Sequence, residues 1–291
     1  MKRRLCLVLF LLMLVTCVTA SGEAADWNYD ANYAILRGYN GAGGDVVVPA
    51  EIGGFTVDVI GISVFKGDTI TSLTLPETVL ELRSNAVASC EKLASITLPQ
   101  SLVVINRMNF FSCSALTEIT IPDNVTSIGH QAFKIIDGSE PQLRKVTFGK
   151  TMPKLGNQIF LNQKNLVAID MTRCTNMETV DSEQNFDGRS DYQTVPTLYV
   201  ASENAMTSYK TVNGNRLIYA VTNGGTFPDN TKFEAGKLAT PVKDGYRFDD
   251  WYKKSNFSDG AVTTAEAGQT YYAKWEVKAE KTAPAAPELN D

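Results

Sequence analysis

The 291-residue chain carries 27 basic and 32 acidic residues, one histidine and five cysteines. This acidic balance excludes the cationic footprint with which proteins neutralise nucleic-acid phosphates or settle on anionic membranes. A single histidine excludes a His pair or a three-histidine metal site within one chain, and so few cysteines exclude a small disulfide-stapled fold.

Residues 1–20 read as a secretory signal: Lys2-Arg3-Arg4, the apolar run Leu5 to Val15, then small residues with a cleavage point after Ala20. The apolar run is short for a membrane span, which needs roughly 20 residues. Cys17 lies in Leu14-Val15-Thr16-Cys17, a loose match to a lipoprotein box, but Thr16 is bulkier than the small residue expected there. A plain signal and a secreted or cell-surface chain are favoured over a lipid anchor. The mature chain has 24 basic against 32 acidic residues, a net charge of −8, and keeps Cys90, Cys113 and Cys174.

Residues 21–45 read as an N-terminal cover, anchored by Trp27, Tyr29, Ile35 and Leu36. A solenoid needs such a cover because its end coil otherwise exposes its core to water. Next comes a phrase written three times: Leu73-Thr74-Leu75-Pro76, Ile96-Thr97-Leu98-Pro99 and Ile119-Thr120-Ile121-Pro122, each start 23 residues after the last. A fixed period in the twenties is the mark of a solenoid whose coils bury their apolar sides only by stacking. Aligned on this phrase, seven strands are predicted: Val46–Val48, Leu73–Leu75, Ile96–Leu98, Ile119–Ile121, Val146–Phe148, Ile169–Met171 and Leu198–Val200. Their first and third residues are apolar and should point inward, the middle one outward.

Two further ladders keep the same period. Ile60, Leu82, Ile105, Ile128, Leu155 and Val180 form one, followed five residues later by the spine Phe65, Val87, Phe110, Phe133 and Phe160, with Phe186 one residue out of step. The other is Ile70, Leu93, Leu116, Leu143 and Leu166. Ile135–Gln142 and Asp181–Thr194 break the period and read as loops. Ser202 to Lys210 has helix-forming content and is taken as the closing element, so the solenoid spans residues 21–211. From 212 to 276 the period is gone, and aromatics predict a small, mostly β module built around Tyr246, Phe248, Trp251 and Trp275. The tail 277–291 has a disorder-prone composition.

The phrase Ile96-Thr97-Leu98-Pro99, with Val125-Thr126-Ser127-Ile128-Gly129, Ala132-Phe133 and Cys113-Ser114-Ala115-Leu116, resembles the BspA-type leucine-rich repeat, over about Val46 to Val200. Gly245-Tyr246-Arg247-Phe248-Asp249-Asp250-Trp251-Tyr252 and Tyr272-Ala273-Lys274-Trp275 resemble the Listeria–Bacteroides repeat, also called the internalin B-repeat. Asp250 stands where that family more often has glycine. The resemblances imply a repeat solenoid with parallel stacked strands, followed by a β-grasp-like module. They also imply a bacterial surface or secreted protein that binds molecules of a host or a neighbouring cell.

The chain holds no GxxxxGK[ST], GxSxG, HExxH or dinucleotide GxGxxG motif. A Cys113–His130 dyad competes poorly with the plainer reading of Cys113 as a ladder contact and His130 as a solvated corner. Cys90 and Cys113 fall in equivalent coil positions. Their parallel side chains keep the Cβ atoms about 4.8 Å apart, beyond the roughly 3.5–4.5 Å of a bridge, which favours free thiols. Asp181, Glu183, Asp187 and Asp191 crowd one loop, where a glycosidase would need two carboxylates facing a cleft and a calcium site a tighter spacing.

The outward strand residues remain. Thr74, Thr97, Thr120, Thr147, Asp170 and Tyr199 form a row, flanked by Ser72, Ser95, Glu118 and Lys145. Threonine suits an exposed strand position on its own account, but a broad polar sheet face is also the natural docking surface of a solenoid. The expected function is therefore adhesin-like: a monomeric, non-enzymatic protein with no cofactor or metal, using this face to hold an extracellular protein or glycan. A structural surface component without a ligand is the alternative, and a carboxylate-based hydrolase a weaker one.

Overall fold

In the computed structural model, residues 26–65, 67, 69–175, 195–203 and 217–278 are described. The signal segment with Cys17, Val180, the carboxylate loop 181–191 with Phe186, most of the expected closing helix and the tail beyond 278 lie outside them.

The chain begins with a hairpin, β1 (Trp27–Asp30) and β2 (Ile35–Tyr39), followed by β3 (Gly44–Val47), β4 (Glu51–Ile52), β5 (Phe55–Thr56) and β6 (Val59–Ile60). Two strands per coil follow: β7 (Ile70–Thr74), β8 (Glu81–Leu82), β9 (Ser95–Thr97), β10 (Val104–Ile105), β11 (Glu118–Thr120), β12 (Ser127–Ile128), β13 (Lys145–Thr147) and β14 (Lys154–Leu155). The chain continues through β15 (Ala168–Met171), β16 (Thr197–Val200), β17 (Ile218–Val221), β18 (Tyr246–Tyr252) and β19 (Thr270–Val277). The result is a β-solenoid of about six stacked turns, with almost no helix among the described residues.

The short second strands form one parallel ladder, in which Ile60, Leu82, Ile105, Ile128 and Leu155 stand in register. The hairpin closes its N-terminal end, because β2 pairs with β6 and places Leu36 beside Ile60. The Trp27 ring lies tilted against Tyr39 at 4.7 Å, and Tyr39 against Phe65 at 5.9 Å, over the first coil. Five of the phrase strands lie within one residue of their predicted places, while β3 and β7 begin two and three residues earlier than Val46 and Leu73. The inward residues of all seven are buried except Ile96, which is partly exposed.

The third ladder, from Ile70 to Leu166, is buried throughout. Along the spine, Phe110, Phe133 and Phe160 stack face to face at 5.1 and 5.5 Å. Two residues before each spine position the backbone turns left-handed, at Ser63, Asn85, Met108, Gln131 and Gln158. Non-glycine residues rarely adopt this conformation. Here the Asn85, Met108 and Gln131 N–H groups each donate to the next coil at 3.1, 3.0 and 2.9 Å.

Two features differ from an unbroken stack. No backbone ladder joins β9 to β11 among the described residues, so the phrase strands divide into a three-stranded sheet and a seven-stranded one. The larger sheet also continues past residue 212. Strand β17 pairs in parallel with β16, β19 with β17, and β18 closes the edge antiparallel to β19. The solenoid core runs with it, through Tyr219, Val221 and Tyr272.

Candidate functional site

The outer face of the larger sheet is bare at one end and covered at the other. Ala168, Tyr199, Ile218, Ala220, Tyr271 and Ala273 form a second apolar cluster there with Trp251, roofed by Phe227, Phe233, Leu238 and Phe248. Tyr199 packs edge-on against Phe227 at 4.7 Å, and its hydroxyl accepts from the Ala239 N–H at 3.0 Å. Trp251 donates to the Ala239 carbonyl at 3.1 Å. Phe248 lies between Trp251 and Trp275 at 5.8 and 5.6 Å, and Tyr246 lies outside this cluster, beneath the Lys243 ammonium.

This roof corrects the expected exposed row. Thr74, Thr97 and Thr120 are exposed, Glu118 is exposed, and Thr147 and Lys145 are half-buried. Asp170 and Tyr199 keep their outward register, but at 4% and 1% exposure they are not free surface. The covering chain comes from residues far along the sequence, which the local strand pattern could not reveal.

At the roof's edge lies a groove. One hollow of about 460 Å³ is floored by Thr97, Glu118, Thr120, Lys145, Thr147 and Asp170 and walled by Thr226, Phe227 and Asp229. A second, of about 360 Å³, shares Glu118 and Lys145 and adds Arg144, Thr231, Lys232, Phe233 and Glu234. The structure therefore brings six of the eight expected residues together. It leaves Thr74 outside and buries Tyr199 beneath the roof. The wall residues 226–234 were not anticipated. The one available signal was the row itself, in which three threonines and Thr147 give way to Asp170 and Tyr199.

Asp170 sits at the back of the groove, its Oδ1 accepting from the Thr172 N–H at 3.0 Å and hydroxyl at 2.8 Å. Burial pushes its pKa up, opposed by the Thr172 hydrogen bonds and by the charges of Lys145 and Arg173. The Lys145 ammonium lies 5.2 Å over the Phe233 ring. Arg173 is paired with Asp123 at 3.2 Å, and Lys150 reaches the same carboxylate at 3.0 Å.

The thiols offer no reactive centre. Cys90, Cys113 and Cys174 are free and buried, with the Cys113 Sγ donating to the Val87 carbonyl at 3.1 Å. Burial pushes Cys90 and Cys174 up to about 12. His130 is exposed at a coil corner, so it does not share the environment of Cys113. Among the described residues no three His, Cys, Asp or Glu side chains are grouped to hold a metal ion, and no helix is long and apolar enough to cross a membrane.

The stacked coils and ladders define a β-solenoid, an architecture consistent with leucine-rich repeats. Residues 53–187 match the BspA type leucine rich repeat region in six copies. The solved structures it is similar to include a leucine rich repeat protein of T. pallidum, at 21% identity over 67% of this chain and 80% of that one, with a TM-score of 0.47. The pneumococcal vaccine antigen PcpA matches at 22% identity over 63% of this chain and 43% of that one, also at 0.47. A leucine-rich repeat protein from Bacteroides capillosus matches at 29% identity over 42% and 91%, at 0.33. No curated protein matches the chain.

Proposed function

We propose that this is a secreted or cell-surface bacterial binding protein, adhesin-like and non-enzymatic, that holds a host or neighbouring-cell protein or glycan against its outer sheet face. The observation that carries the reading is the groove, in which Thr97, Glu118, Thr120, Lys145 and Thr147 stand together beside a wall built by residues 226–234. The BspA-type repeats over residues 53–187 support it, since rigid stacked coils offer a broad preformed surface. Preformed surfaces bind without a large ordering cost. In this reading residues 1–20 are a signal peptide, and the segment 212–276 is a Listeria–Bacteroides-type module that shapes one side of the site.

The test uses the chain Ser21–Asp291 on surfaces coated with host matrix proteins and cell-wall extracts. Saturable retention is expected, lost in a Thr97→Lys, Thr120→Lys double variant that melts like the parent. Retention unchanged in that variant would remove the sheet face from the proposal. No retention on any surface would leave the chain a structural component.

A further inference from the structure

The two hollows differ in charge. Glu234 is paired with Lys237, and Arg173 with Asp123. Among the described residues Arg144, Lys232, Asp229 and Glu118 take part in no ion pair. One hollow thus presents Asp229, the other Arg144 and Lys232, with Glu118 and Lys145 as register partners between them. Main-chain groups add a second observation. Leu75 and Ile121 donate to the neighbouring phrase strand at 3.2 and 2.8 Å, whereas Leu98, which lines the groove, has no backbone partner there among the described residues.

We infer that the groove takes an extended polypeptide segment of a partner protein that carries charges of both signs, its basic residue at Asp229 and its acidic residue at Arg144 and Lys232. This rests on the binding reading above and names its ligand class. A neutral sugar chain would leave all these charges unanswered. A sulfated or carboxylated one would suit the basic hollow and be repelled by Asp229, since like charges across an interface are unfavourable. A polypeptide places both signs within a few residues, and its carbonyls suit the open N–H of Leu98. Seated lengthwise, it would also cross the gap between β9 and β11 and touch both sheets.

The test is an array of short synthetic peptides bearing one Lys and one Glu at graded separations and in both orders. Lys-only, Glu-only and uncharged controls accompany it, with a parallel array of neutral and sulfated oligosaccharides. The Ser21–Asp291 chain should prefer peptides of both signs by about tenfold over either single sign, less at high salt. An Arg144→Glu, Lys232→Glu variant should lose that preference and turn towards Lys-only peptides, while Asp229→Lys should turn the other way. Matching thermal melts would show that each variant is folded. Equal binding of single-sign and both-sign peptides, variants that leave the ranking unchanged, or retention on oligosaccharides alone would overturn the polypeptide assignment. The matrix-protein assay with the Thr97 and Thr120 variant reads the broader proposal independently of this one.

Discussion

A β-carbon on Gly129 would sit 2.4 Å from the main-chain nitrogen of Arg107, and one on Gly156 2.4 Å from that of His130. These glycines follow the inward Ile128 and Leu155, where successive coils approach too closely for any side chain. Gly129→Ala should therefore force the coils apart and cost about 1–3 kcal/mol, the usual range for overpacking. A thermal melt indistinguishable from the parent would show that the coils relax freely there. Asp170 makes the opposite case, a polar group where an apolar one would be cheaper. Its raised pKa means that, above the ordinary carboxylate range and below the folded value, the folded state keeps a proton that the unfolded chain has released. Stability from this group consequently falls as pH rises through that window. Asp30, Asp45 and Asp249 are pulled the other way by their hydrogen-bond partners, so the whole protein need not follow Asp170. The comparison with Asp170→Asn isolates it. The variant should melt higher than the parent at neutral pH, with the advantage vanishing as pH drops below the carboxylate range. A constant difference across pH would mean that the carboxylate is not penalised by its burial.

The strands were legible because stacking demands the same residue type at the same coil position. Leu75, Leu98 and Ile121 announce one another, and so do Ile60, Leu82 and Ile105. The left-handed turns before the spine were not legible, since Ser63, Met108 and Gln131 share no side-chain property that requires them. They are imposed by the neighbouring coil, to which their N–H groups are committed where the bonds form. The gap between β9 and β11 was equally silent, because the phrase repeats there without change. Its energetic consequence is specific. Ile121 is fully buried and its N–H is bonded to Thr147, while Leu98, at 8% exposure, borders the groove. Truncation of Ile121 to Ala should cost about 2–5 kcal/mol, and Leu98→Ala less, because water enters the space it leaves. Native-state hydrogen exchange gives an independent reading. The Leu98 amide should exchange faster than those of Leu75, Ile121 and Phe148, which donate to the next strand at 3.2, 2.8 and 2.8 Å. Equal protection at all four would mean that the sheet is closed in solution.

At the scale of the whole molecule, sequence reading divided the chain where the period stops, and composition does change there. Hydrogen bonding and burial cross the same point without interruption: β17 and β19 extend the phrase-bearing sheet, and Tyr199 of the repeats is enclosed by Phe227, Phe233 and Trp251. Periodicity reports on contacts between equivalent coils and is blind to a roof contributed once. Asp170 and Tyr199 are therefore buried where the pattern places them at the surface, Thr147 is half-buried, and Thr74, Thr97 and Thr120 are exposed. A shared sheet and a shared core mean that neither part can open without exposing the other. In the Trp27→Phe background, fluorescence of Trp251 and Trp275 reports on the roof, and far-ultraviolet circular dichroism on the coils. The two signals should melt together, as coincident probes do in a two-state transition. Tyr199→Ala should shift both by the same amount. The expected loss is about 3–5 kcal/mol for a buried aromatic, or on the order of ten degrees in melting temperature. If the tryptophans melted first and the coils kept their own midpoint, the roof would be a separable module and the groove at its edge a junction between two independent bodies.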